Sequence, residues 1–167
     1  MPWHKRRVTA GARMDLKFII DALECNRGRG YFCYDHLPWA PALYTDAMKD
    51  SKLAGWGWVS ADGRYSYGVY GSSQKKKPID ALEGDAVLRA AKSCGESWKG
   101  TRVPLYIDNT AFQLSFKKGR SKVERLNSIL RQLYDLSIKY DCVFYPYWIS
   151  THDNIGADAL SRNNLNE

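Results

Sequence analysis

Between Leu53 and Ser60 apolar positions alternate, with Trp56 and Trp58 on one side and Leu53, Gly55, Gly57 and Val59 on the other. That period of two is the signature of a strand. Ala61-Asp62-Gly63 supplies a turn, and Arg64 to Tyr70 returns with Tyr65, Tyr67 and Val69 on one side, which predicts a hairpin. Ala42 to Asp46 predicts a short strand ahead of it. Helical spacing follows over Pro78 to Ser93, with Ile79, Leu82, Ala86 and Ala90 apolar and a proline where a first helical turn accepts one. Arg102 to Ile107 predicts a fourth strand, and Asn109 to Phe116 a brief helix broken by Lys117-Lys118-Gly119-Arg120. Ser121 to Tyr140 predicts the longest helix, carrying Leu126, Ile129, Leu130, Leu133 and Leu136 on one face. Cys142 to Ile149 predicts a fifth strand and Asn154 to Arg162 a closing helix. The order predicts an α/β domain over residues 42–163, with a four-residue tail, 164–167, after it. Its mixed five-stranded sheet, a three-strand antiparallel meander plus two parallel strands, is flanked by helices.

Residues 1–41 follow a different pattern. The first 13, with His4-Lys5-Arg6-Arg7, are basic and aperiodic and predict a loose arm. Leu16, Ile19, Ile20 and Leu23 predict one helix over Asp15 to Glu24, stopped by Asn26-Arg27-Gly28-Arg29-Gly30. Leu37-Pro38-Trp39-Ala40-Pro41 predicts an extended connector. The net charge of +7 favours a polyanionic partner, although solubility alone also accounts for such a charge. Cys25, Cys33, Cys94 and Cys142 lack the Cys-x-x-Cys spacing of a zinc site and read as reduced, mostly buried thiols. No apolar run approaches the roughly 18 residues that a membrane span needs, so an intracellular protein without a membrane partner is expected.

Four acidic residues stand where a catalytic site can use them: Asp46 at the end of the first strand, Glu83 in the first long helix, Asp108 at the end of the fourth strand and Asp158 in the last helix. Carboxylates brought together by a fold can hold two Mg²⁺ ions that activate water and stabilise the leaving oxygen of a phosphodiester. Each acid also has an ordinary structural role open to it. Asp46 can form a turn, Glu83 can be a solvated charge, Asp108 can cap a helix and Asp158 can complement a helix dipole.

Tyr44-Thr45-Asp46-Ala47 with Ala54-Gly55-Trp56-Gly57-Trp58-Val59, then Ala81-Leu82-Glu83, Ile107-Asp108-Asn109-Thr110-Ala111 and Asn154-Ile155-Gly156-Ala157-Asp158-Ala159-Leu160-Ser161-Arg162, resemble in order the motifs of retroelement ribonuclease H domains. Among these the chain looks nearest to tyrosine-recombinase retrotransposons of the DIRS and Ngaro type. The resemblance spans roughly residues 42 to 162. It implies cleavage of the RNA strand of RNA–DNA hybrids during reverse transcription, giving 5′-phosphate products. Asp46, Glu83, Asp108 and Asp158 become ligands of two Mg²⁺ ions, with Mn²⁺ as an alternative. His152 resembles the loop histidine that assists proton transfer or product release, although its loop to Asp158 is short. Met48 departs from the family, in which a small polar residue is commoner. A reverse transcriptase domain in the same polyprotein is the implied protein partner, and the chain is expected to be a piece of that polyprotein.

Asn109 and Thr110 are candidate contacts to the substrate backbone, and Lys117, Lys118, Arg120 and Lys122 are candidates for the DNA strand. Lys75-Lys76-Lys77 reads equally as a phosphate grip or a solvated charge run. Trp56 and Trp58 are expected in the core. Two alternatives stay open: a catalytically inactive module of the same fold that binds nucleic acid or protein, and another nuclease of the superfamily, such as an integrase or resolvase.

Overall fold

The first strand, β1 (Leu43–Lys49), runs on both sides of the acid it carries, which therefore sits mid-strand and not at a strand end. The sequence pattern ends this strand at Asp46 and leaves Met48 and Lys49 outside it. In the structure, a computed structural model that describes residues 7–24 and 34–163, those residues remain paired, Met48 opposite Gly55 and Lys49 opposite Ala54. Asp50 closes the turn by accepting from the backbone N–H groups of Lys52 and Leu53, at 2.6 and 2.5 Å. The partner strand is β2 (Ala54–Ser60), which pairs in turn with β3 (Tyr65–Val69) to complete the antiparallel meander.

A single helical turn, α2 (Ser72–Lys75), leads into α3 (Ile79–Cys94), and a 3₁₀ turn over Gly95–Trp98 ends that layer. β4 (Arg102–Ile107) lies parallel to β1, with Leu43 beside Leu105 and Thr45 beside Ile107. α4 (Thr110–Lys118) stops at Gly119, whose φ of 69° carries the backbone into the left-handed region that a side chain disfavours. The helix thus continues through Lys117 and Lys118 before breaking. α5 (Glu124–Tyr140) starts later than its hydrophobic spacing suggests, because Asn127 reaches back to bond the Ser121 backbone in a turn. β5 (Val143–Trp148) joins β4 in parallel, and α6 (Ile155–Ser161) closes the domain. The sheet order is β3-β2-β1-β4-β5, the expected mixed five-stranded sheet flanked by helices.

Helix α3 is buried along most of its length because the sheet covers one side and α5 another. Leu43, Val87, Leu105, Ile107, Phe112, Leu130 and Leu133 form the principal core, each at most 2% exposed. Burying such side chains contributes about 1.5–3 kcal/mol apiece. Trp58 is buried as expected, while Trp56 is half-buried with the Arg89 guanidinium 4.8 Å from its ring centre. Cys94 and Cys142 are buried free thiols, as expected; Cys25 and Cys33 lie outside the described residues.

The chain divides into two compact units, residues 1–32 and 33–167. Within the first, α1 (Ala10–Glu24) starts earlier than its spacing predicts, because the Thr9 hydroxyl accepts from Ala12 N–H and caps it. Its Leu16, Ile19, Ile20 and Leu23 are all exposed. Residues 1–6 of the arm and the Asn26–Gly30 stop lie outside the described residues. No helix among the described residues is long and apolar enough to cross a membrane.

The opposite face of the sheet receives α6 directly on the backbone of β2. A Cβ at Gly55 would come 2.0 Å from the Ser161 carbonyl oxygen, and one at Gly57 would come 2.5 Å from Leu160 Cβ. These glycines let a helix approach closer than side chains allow. Gly57→Ala is expected to lower stability by about 2–3 kcal/mol, read by urea denaturation, with α6 displaced from the sheet.

Candidate metal centre

Three elements bring acids to one end of the β1–β4 pair. β1 contributes Asp46 and β4 leads directly into Asp108, while α3 lays Glu83 beside them. One oxygen from each of Asp46, Glu83 and Asp108 lies within 4.8 Å of the others. With Asp158, Asn109 and Thr151 they line a single open cleft of about 370 Å³.

Burial decides the electrostatics. Asp46 and Glu83 are 4% and 3% exposed. Among the described residues, Asp46 Oδ2 and Glu83 Oε2 have no hydrogen-bond partner. Desolvation pushes Asp46 up to about 6, reinforced by the charges of Asp108 and Asp158 and opposed by the Ser161 hydroxyl. Glu83 is pushed well above the usual carboxylate range, first by burial and then by Asp46 and Asp108, with the Ala47 N–H opposing. Buried oxygens without partners are costly, and clustered carboxylates repel. A hard divalent cation removes both penalties, and an all-oxygen donor set of this kind suits such an ion. The three acids therefore fit a metal.

Of the ordinary structural roles open to these acids, Asp158 keeps its own, standing in the first turn of α6, while those of the other three are not taken up. Asn109, not Asp108, caps α4, its side chain accepting from Phe112 N–H at 2.9 Å. Glu83 is not solvated, and Asp46 makes no turn. Asp158 stands apart from the triad, because Arg162 Nε donates to both of its oxygens at 2.8 and 2.9 Å. Their spacing of four on a helix is legible in sequence.

Asp108 is fixed from the far side of the cleft. The Thr151 hydroxyl donates to its Oδ2 at 3.0 Å, and Trp148 Nε1 donates to its backbone carbonyl at 3.1 Å. Asn154, 1% exposed, donates through Nδ2 to the Thr45 carbonyl and ties the start of α6 to the residue before Asp46. Sequence reasoning missed Thr151 and Asn154 as site residues, since both act across long separations in the chain. His152 is exposed in the turn between Thr151 and Asp153, adjoining the cleft but not lining it. Thr110 is exposed at the first turn of α4, while Lys117 and Lys118 are exposed in its last turn and Arg120 and Lys122 just beyond it. A nine-residue helix is about 13 Å long, so this basic group stands off from the acids.

The fold of residues 34–163 is that of ribonuclease H. No protein-family model matches the sequence, and no curated protein sequence matches it. Solved structures do. Ribonuclease H1 of the halophilic archaeon Halobacterium salinarum superposes with a TM-score of 0.61 at 19% identity, over 75% of this chain and 96% of that one. The N-terminal ribonuclease H domain of a Mycobacterium tuberculosis protein gives 0.59 at 18% identity, over 75% and 94%. LC11 ribonuclease H1 in complex with an RNA/DNA hybrid gives 0.62 at 20% identity, over 74% and 95%.

Two outcomes test the centre. An acid whose pKa rises on folding favours the folded state while protonated, so its contribution is lost as pH climbs through the folded value. Metal-free protein is expected to lose stability between pH 4 and 6 relative to Asp46→Asn, by on the order of 2–3 kcal/mol. Parallel urea titrations across that range measure the difference. Thr151→Val is expected to weaken Mn²⁺ binding about ten- to a hundredfold, as loss of one hydrogen bond to a carboxylate implies, whereas Thr151→Ser retains it. Calorimetric titration reads both variants.

Proposed function

We propose that this protein is a metal-dependent endonuclease that hydrolyses the RNA strand of RNA–DNA hybrids, acting as the ribonuclease H part of a retroelement reverse transcriptase. The observation that carries the proposal is the convergence of Asp46, Glu83 and Asp108 on a ribonuclease H fold, with Asp158 lining the same cleft. The hybrid bound by LC11 ribonuclease H1 supports the substrate class. The Ala157-Asp158-Ala159-Leu160-Ser161-Arg162 motif, with its resemblance to retrotransposon domains, supports the setting in reverse transcription and the reverse transcriptase partner.

Asp46, Glu83, Asp108 and Asp158 would together hold two Mg²⁺ ions, with Mn²⁺ able to replace either. The bound ions supply Lewis acidity toward the scissile phosphate and its attacking and leaving oxygens. The chain supplies position. Thr151 holds Asp108 in orientation, and Asn109 and Thr110 meet the substrate backbone at the mouth of the cleft. Lys117, Lys118, Arg120 and Lys122 hold the DNA strand through phosphates. Water attacks phosphorus as the P–O3′ bond breaks. The departing O3′ takes a proton, leaving a 3′-hydroxyl and a 5′-phosphate. His152, in the turn beside Asp108, exchanges protons with solvent or eases product departure.

The test is incubation of a hybrid labelled on either strand with Mg²⁺ or Mn²⁺. Cutting of the RNA strand alone is expected, with a loss of at least about a hundredfold in Asp108→Asn. Folded, metal-binding protein that cuts neither strand overturns the nuclease assignment in favour of a binding module. Cutting of duplex DNA instead overturns the substrate.

A further inference from the structure

The fourth acid differs from the other three in what holds it. Arg162 Nε donates to both oxygens of Asp158, at 2.8 and 2.9 Å, so one guanidinium engages both atoms through which this carboxylate could ligate an ion. The two residues line the cleft together with Asp46, Glu83 and Asp108. The guanidinium charge is felt beyond its partner, where it opposes the rise of the Asp46 carboxyl. Among the described residues no lysine or arginine pairs with Asp46, Glu83 or Asp108, and Asp108 takes the neutral Thr151 hydroxyl instead. The Asp158 pair is also free to open. Arg162 stands just past the last residue of α6 with its side chain 53% exposed, so the guanidinium reaches solvent without moving the helix. Asp158, at 26%, stays in the cleft.

We propose that Arg162 is a resident counter-cation, which a divalent ion must displace before it takes Asp158 as a ligand. The proposal rests on the four-carboxylate metal reading and deepens it. A guanidinium and a divalent ion compete for the same two oxygens, and their like charges repel at such close range. The triad meets no such competitor. The centre therefore fills in order: one ion enters at Asp46, Glu83 and Asp108, and a further ion waits on the departure of Arg162. At low divalent concentration the cleft holds one ion, and it gains its full complement only over a higher range that Arg162 sets.

The test is a Mn²⁺ titration followed by electron paramagnetic resonance, which measures free ion and so counts the ions bound per protein. Unaltered protein is compared with Arg162→Gln, Arg162→Lys and Asp158→Asn. Arg162→Gln is expected to tighten the second ion about tenfold, the order implied by removing one partly solvated charge beside a divalent ion. The first ion should change less than twofold, which reports within the same titration that the cleft is intact. Arg162→Lys keeps the charge but gives up the grip on both oxygens, and is expected to fall between. Asp158→Asn should lose the second ion and retain the first. An arginine that served only to orient Asp158 predicts the opposite sign, and a weaker second ion in Arg162→Gln overturns the proposal. An unchanged second ion, or a single ion bound in every variant, overturns it as well. Tightening in a protein that cuts no hybrid leaves the counter-cation standing while the nuclease reading fails; cutting without tightening does the reverse.

Discussion

Two carboxylates buried side by side, each with an oxygen lacking a protein partner, are an arrangement that folding alone would avoid. Asp46 and Glu83 have that geometry because β1 and α3 are held by a core that does not depend on them. Small residues on α3, among them Ala81, Gly84, Ala86 and Ala90, are buried together with the acid and let the helix sit close to its neighbours. At Gly84 a Cβ would meet Phe112 at 2.8 Å and Ile129 at 3.0 Å. The core thus holds the acids in an electrostatically strained relation that protonation relieves in part and a divalent ion relieves more fully.

The rest of the site is arranged around that pair. Asp108 is reached through β4, whose parallel register with β1 sets the two acids at the same end of the sheet, and it is then oriented by Thr151. Asp158 comes from the opposite face, on a helix seated against backbone at Gly55 and Gly57. It brings its own counter-charge in Arg162, whereas Asp46 and Glu83 are buried with no cationic side chain bonded to them. The centre combines a triad, two of its acids buried and one half-buried, that wants a cation with a fourth acid that already has one.

Much of this was legible in the chain. Alternation at Trp56 and Trp58, the hairpin turn at Ala61-Asp62-Gly63 and the helical spacing from Leu126 to Leu136 each reported local geometry that tertiary packing kept. The four acids were legible as candidates because each stood on an identifiable element. The end of β1 lies beyond the expected Asp46, since Met48 and Lys49 are held by a ladder whose partner lies on another strand. The one-turn α2 has too few residues for periodicity to register. Thr151 with Asp108, Asn154 with Thr45 and Lys49 with Lys77 bridge separations of 43, 109 and 28 residues. Nothing in local composition marks such pairs, because their physical cause is the fold itself.

The seat of α6 on β2 also has a consequence in time. Translation delivers Asp46, Glu83 and Asp108 well before Asp158, and the strand glycines stay uncovered until α6 leaves the ribosome. A chain stalled or clipped just short of Asn154 would carry the triad without its fourth acid, without the tie to Thr45 and with β2 bare on one face. Such a product would be aggregation-prone and would lack part of its acidic cleft at once. Helix α6 therefore couples synthesis of the chain through Ser161 to assembly of that cleft.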